Sequence, residues 1–259
     1  SGDKFLNTSL SKIGGKGLFT KEIQQALIDK RIDIAVHSMK DVETELPEKL
    51  VISTILKRED VRDSFISRKY SSIAELPLGS TVGTSSLRRK AQLLNKRKDL
   101  KVVEFRGNVQ KRLEKLDNNV AVATFLATAG LNRLGLNELI NPISTDEMLP
   151  AVAQGAVGIE HLQSEKIEEF LAPLNDSVSK KRVEAERAFL QELDGSCRTP
   201  IGGLAQKNNE EFKFMGEIIS ANGEVKIHDV WQGDWAMAVE IGREAGREIK
   251  LRGGKNFFQ

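Results

Sequence analysis

The sequence is poor in cysteine, histidine and aromatic residues, and each shortage excludes something. One cysteine in 259 residues, Cys197, rules out an intramolecular disulfide framework. Three histidines, His37, His161 and His228, are scattered without metal-ligand spacing, so no metal site is expected and zinc or redox chemistry is disfavoured. No apolar run approaches the roughly 18 residues needed to span a membrane, and Ser1-Gly2-Asp3-Lys4 does not resemble a signal peptide, so a cytoplasmic protein without a membrane partner is expected. Phe, Trp and Tyr together make up 5% of the chain.

What is present is charge, unevenly placed. Lys and Arg number 39 against 37 Asp and Glu, a net of +2. Between Ser80 and Arg112, however, ten basic residues face only Asp99 and Glu104, a net of +8, and the rest of the chain carries 29 basic against 35 acidic residues, a net of −6. A basic field on an acidic body suits an anionic ligand. Because that stretch holds a single aromatic, Phe105, it lacks the stacking platform of a single-strand binder. A small polyanion fits better, and no nucleic-acid partner is expected.

Apolar and polar periodicity organises the chain as an α/β protein. Ile32 to Val36 reads as a buried strand that delivers His37-Ser38-Met39-Lys40-Asp41 at its C-terminal end, preceded by a helix over 21–29. Residues 80–83 and 101–105 read as strands around a helix over 87–94, a β-α-β unit. A helix over 109–116 and an apolar strand over 120–126 follow. This alternation predicts parallel sheets, with ligands at the C-terminal strand ends where 37–41, 84–89 and 106–108 lie. An apolar strand over 156–159 is placed to return to the first sheet. Helix 179–192 leads into the turn-rich loop 194–202, and strands 212–219 and 224–231 with a closing helix over 235–250 form a small α+β unit.

Several constellations carry two readings. Thr84-Ser85-Ser86 before Arg88-Arg89 is either an anion site at a helix N-terminus or a plain cap with a solvated basic face. Lys40-Asp41 is either a surface ion pair or a catalytic carboxylate whose charge is kept by neighbouring cations. His37 reads as a structural, hydrogen-bonded histidine. Cys197 is either an inert buried thiol or a loop thiolate favoured by Arg198 and open to covalent attachment. The glycine-rich stretch 11–17, with Lys12 and Lys16, suits a lid or a turn.

Taken in order, several motifs resemble the porphobilinogen deaminase (hydroxymethylbilane synthase) family. They are Ile13-Gly14-Gly15-Lys16-Gly17-Leu18-Phe19, Ala35-Val36-His37-Ser38-Met39-Lys40-Asp41-Val42, and Arg58-Glu59-Asp60 with Arg62-Asp63. Val82-Gly83-Thr84-Ser85-Ser86-Leu87-Arg88-Arg89, Arg106-Gly107-Asn108-Val109 and Ala129-Gly130-Leu131 with Arg133-Leu134 follow. The last are the run Leu149 to Glu160, and Gly195-Ser196-Cys197 with Pro200-Ile201-Gly202. They span nearly the whole chain.

The resemblance implies two periplasmic-binding-protein-like (type II) domains with the site between them, and a smaller α+β C-terminal domain. The expected divisions are 1–57 with 156–173, 62–150, and 178–259. It implies a monomeric transferase that joins four porphobilinogen molecules head to tail, each losing ammonia, on a dipyrromethane cofactor covalently attached through Cys197, and then releases linear hydroxymethylbilane by hydrolysis. By the same pattern Lys40, Ser38, Thr84, Ser86, Arg88 and Arg89 bind the cofactor. Arg106, Arg112, Arg133, Gln154, Lys12, Lys16 and Phe19 serve the substrate, and Asp41 is the catalytic carboxylate that stabilises the cationic azafulvene and assists proton transfer. The rival from another class is a non-catalytic small-anion-binding module of periplasmic-binding type. The family pattern also has a strand and helix before the position of Ser1, which makes an inactive fragment a further alternative, and it has a glycine where Ala153 stands.

Overall fold

A computed structural model describes residues 18–193, 199–254 and 257. Three sheets organise the chain, and the first is built from distant pieces. Helix α1 (Leu18–Ile28) buries Leu27 against Ala35 and Leu50. Strand β1 (Ile34–Ser38) alternates outward and inward, with Ala35 and His37 buried. The sequence reading made this strand wholly buried. In fact Ile34 and Val36 are 41% and 61% exposed, because β1 forms the edge of its sheet among the described residues.

Strand β2 (Leu50–Ile55) does not pair with β1. Strand β7 (Val157–Leu162) lies between them and runs antiparallel to both. The return of the apolar 156–159 segment to the first sheet is therefore as expected, but the expected parallel sheet is corrected here. The chain re-enters from the second sheet in the opposite direction, so a strand that follows a crossover of this kind pairs antiparallel.

The second sheet has the order β3 (Asp63–Ser67), β6 (Ala123–Ala127), β4 (Thr81–Gly83), β5 (Lys101–Val103). Here β4 is parallel to both β5 and β6, as alternation with helices predicts, whereas β3 is antiparallel to β6. Helices α2 (Leu87–Lys96), α3 (Val109–Asp117) and α4 (Thr128–Leu134) follow β4, β5 and β6. The cores beneath them hold Val82, Leu93, Ala123 and Phe125 on one side and Phe105, Leu116 and Leu131 on the other.

Short helix α5 (Glu165–Leu171) and the long α6 (Ser177–Glu192) lead to the third sheet, an antiparallel meander of β8 (Ile201–Asn208), β9 (Glu211–Ile219) and β10 (Lys226–Asp234). Helix α7 (Ala238–Gly253) closes this α+β unit, whose core holds Val183, Phe189, Phe212, Phe214 and Ile249. Among the described residues no helix is long and apolar enough to cross a membrane.

Two crossovers join the first two sheets and lie side by side, with Glu59 N–H donating to Gly155 O at 3.2 Å. Gly155 has φ +85°, and a Cβ there would stand 2.6 Å from Glu59 O and 3.0 Å from Asp60 O, so no other residue fits this contact. Ala153 holds φ +60° although it carries a Cβ, a conformation that costs about 1–2 kcal/mol. Glu186 on α6 anchors the pair: it accepts from the Arg58 guanidinium at 2.6 and 3.0 Å, from Ala153 N–H at 2.6 Å and from Ala205 N–H at 2.9 Å. Arg58 Nε in turn donates to Gln154 O at 2.9 Å. The buried charges are thus fully hydrogen-bonded.

Candidate active site

The start of α2 is built by its own hydroxyls. Thr84 Oγ1 accepts from Ser86 N–H at 3.2 Å, Ser86 Oγ caps the helix by accepting from Arg89 N–H at 3.4 Å, and Ser85 Oγ accepts from Phe105 N–H at 3.0 Å. Arg88 and Arg89, in the first turn after this cap, are buried and do not form a solvated basic face.

Both arginines meet Asp63, the first residue of β3. Arg88 Nη2 lies 2.8 Å from Asp63 Oδ2, and Arg89 Nη2 and Nε lie 2.6 and 3.1 Å from Oδ1. Gln154 Nε2 adds a bond to Oδ1 at 3.0 Å, while Arg88 Nη1 donates to Leu149 O at 2.8 Å and Arg89 Nη1 to Phe125 O at 2.9 Å. Burial pushes the Asp63 carboxyl upward, but the Arg88 and Arg89 guanidiniums outweigh it and hold the group well below the usual carboxylate range. One donor, Arg88 Nε, is buried with no hydrogen-bond partner among the described residues.

Lys40 and Asp41 stand in a single 3₁₀ turn, Met39–Asp41, at the C-terminal end of β1. Met39 N–H donates to Ala156 O at 3.0 Å, and a Cβ at Gly158 would collide with Met39 Sδ, so the bare glycine on β7 lets the turn seat on the sheet. Asp41 is exposed and Lys40 half-buried. Burial, followed by the Arg89 charge, lowers the Lys40 pKa against the opposing pull of Asp41 and Asp63. His37 is a structural histidine, its Nε2 2.8 Å from Glu160 Oε2, which also accepts on Oε1 from Gln24 Nε2 at 2.9 Å.

A lysine held in this way is costly when charged. The penalty is fully present below its lowered folded pKa and is relieved as pH rises toward the unfolded value of 10.5. Lys40→Met is therefore expected to raise the Tm at pH 7 by about 2–4 °C, equivalent to ~1 kcal/mol, while weakening the binding of carboxylate ligands. Thermal melts beside affinity measurements with a small dicarboxylate check this. An unchanged or lowered Tm would show that Lys40 is not held against its charge.

The structure gathers some of the sequence-derived residues and separates others. Lys40, Arg88 and Arg89 act on one another electrostatically, and Arg112, half-buried with Nε donating to Gly107 O at 2.9 Å, joins them through Arg89. Arg106 lies 3.3 Å from Glu104. Arg133 donates to Gly155 O at 3.0 Å and Gln154 to Val61 O at 2.8 Å, so both bind the crossovers. Ser38 ends β1 and is exposed. Lys12, Lys16 and Cys197 lie outside the described residues, as does the side chain of Phe19.

The sequence reading did not pair Asp63 with the arginines. Its signals are the Arg62-Asp63 motif and a carboxylate two residues before the apolar Phe65-Ile66. Nor did it find Glu186 or Arg187, which a helix over 179–192 hides among other charged residues.

The chain matches two family descriptions, "Porphobilinogen deaminase, dipyromethane cofactor binding domain" over residues 1–169 and "Porphobilinogen deaminase, C-terminal domain" over 180–251. It is 51% identical over 260 residues to porphobilinogen deaminase of Paracoccus denitrificans, covering 100% of this chain and 83% of that protein. It is 50% identical over 264 residues to the chloroplastic porphobilinogen deaminase of Pisum sativum, covering 100% and 72%. Among solved structures, a TRAP periplasmic solute-binding protein from Desulfovibrio salexigens overlays with TM-score 0.41 at 12% identity, covering 62% of this chain and 59% of that one. A periplasmic substrate-binding protein from Coxiella burnetii overlays with TM-score 0.40 at 14% identity, covering 63% and 79%. Full-length identity near one half, with both descriptions matched in order, places the chain in the porphobilinogen deaminase family.

Proposed function

We propose that this chain joins porphobilinogen units head to tail with loss of ammonia, on a dipyrromethane held by the Cys197 sulfur, and releases linear hydroxymethylbilane by hydrolysis. The observation that carries the reading is the buried pair Arg88 and Arg89 on Asp63, with Lys40 and the exposed carboxylate of Asp41 at the same place and Arg112 acting on Arg89. Every pyrrole of the cofactor and substrate bears an acetate and a propionate, which suits a site where Lys40, Arg88, Arg89 and Arg112 outnumber Asp41, Asp63 and the more distant Glu217. When bound, the dipyrromethane supplies the pyrrole carbon at which the chain grows.

Lys40, Arg88 and Arg89, with the hydroxyls of Ser38, Thr84 and Ser86, hold the cofactor carboxylates. Arg106, Arg112, Arg133 and Gln154, with Lys12, Lys16 and Phe19, serve the incoming substrate. The Asp41 carboxylate would stabilise the positive charge that develops as the substrate's C–N bond breaks and ammonia leaves, and would take up the proton that the pyrrole carbon gives up as the new C–C bond forms. Hydrolysis would then break the bond between the finished chain and the dipyrromethane, water supplying OH to the released methylene and H to the cofactor carbon. The reading includes a monomer divided as 1–57 with 156–173, 62–150 and 178–259, working in the cytoplasm, although the pea relative is named chloroplastic.

Intact-mass measurement tests it. Active, freshly purified protein is expected to carry a dipyrromethane-sized increment that Cys197→Ser abolishes together with ammonia release from porphobilinogen. An unmodified Cys197 in protein that turns over, or normal ammonia release by Cys197→Ser, rejects the assignment.

A further inference from the structure

We propose that Arg187 is the positioning residue for Asp41, fixing the catalytic turn from the third unit of the fold. Arg187 lies on α6, and its guanidinium spends its donors on three consecutive backbone carbonyls just beyond that turn. Nη1 donates to Val42 O at 3.3 Å, and Nη2 donates to Glu43 O at 2.6 Å and Thr44 O at 3.2 Å. Residues 42–44 belong to no strand or helix. The front of the turn is held by Met39 N–H on Ala156 O, and Arg187 holds its rear.

The choice of residue is informative. A planar fork with several donors can bind three carbonyls at once, which a lysine ammonium on a flexible stem does not reproduce. Burial lowers the Arg187 pKa, opposed by the charge of Glu160, the carboxylate that also fixes His37 on β1. One helix therefore presents Glu186 to the crossovers and Arg187 to the Asp41 turn, and α6 ends five residues before Cys197 in the sequence. A small displacement of a group that carries a proton costs rate without costing affinity: about 10²-fold has been typical of misplacement near 1 Å.

The inference rests on Asp41 being the proton carrier, and a double-mutant cycle on the cofactor-loaded enzyme separates the two. Arg187→Gln, Asp41→Asn and the double variant are compared by ammonia release, with intact mass and Tm as controls. Arg187→Gln is expected to lower kcat about 10- to 100-fold with KM within twofold, Arg187→Lys to recover only part of it, and Arg187→Gln to add nothing in the Asp41→Asn background. Normal kcat in Arg187→Gln, full rescue by lysine, or an independent further loss beside an inactive Asp41→Asn overturns the positioning role alone. Near-normal turnover by Asp41→Asn overturns the reading of Asp41 and this inference with it. Should Arg187→Gln not fold, Arg187→Lys carries the same comparison.

Discussion

Asp41→Asn is expected to lower kcat for ammonia release by about 10²- to 10⁴-fold, the usual worth of a positioned proton carrier, while leaving the Tm within about 1 °C of the parent. The second half follows from exposure: Asp41 stands on the solvent side of its turn, so its removal empties no buried contact. The first half follows from its neighbours. Lys40 next to it and the two buried arginines keep a positive field at the site, in which a carboxylate is the one group able to offset a developing cation. Cofactor attachment is expected to survive, and single-turnover ammonia assays with intact mass decide the matter. Turnover within tenfold of the parent would remove the catalytic role from Asp41.

Asp63→Asn is expected to destabilise the fold by about 3–5 kcal/mol, a fall in Tm on the order of 10 °C, because two buried guanidiniums then share a region with no counter-ion. The sign of the pH dependence follows from the lowered carboxyl. Its stabilisation is fully present above the unfolded value of 3.8 and is lost as pH falls through the folded value. Wild-type stability in urea therefore drops below about pH 4, and that component is absent from Asp63→Asn. Identical melting of the two proteins at pH 7 would show that the arginines need no buried partner. Activity is expected to fall as well, since the same carboxylate sets where Arg88 and Arg89 point.

The contrast between these residues explains what the sequence made legible. The parallel pairing of β4 with β5 and β6 is local, written in the alternation of strand and helix over about fifty residues, and it could be read. The antiparallel first sheet could not, because its direction depends on how the chain comes back after a long excursion. Arg88 and Arg89 stand out beside a row of hydroxyls, but the direction in which they turn is set by distant partners. Asp63, 25 and 26 residues away, becomes their partner only when β3 packs beneath α2. Arg187 was silent for the same reason. Its partners are backbone carbonyls, which leave no mark in side-chain identity. The motif resemblance supplied Lys40 and Asp41 by position, and packing alone shows that one is half-buried and the other open.

The central placement of β7 has a consequence for how the protein is made. Strands β1 and β2 emerge early and do not pair with each other. Among the described residues both find their hydrogen-bonded neighbour in 157–162, about a hundred residues later, after the whole of the second sheet. The pairs of the second sheet span about 20 to 64 residues and those of the first about 103 to 127, so loop-closure entropy predicts that the sheet leading into the Asp41 turn closes later.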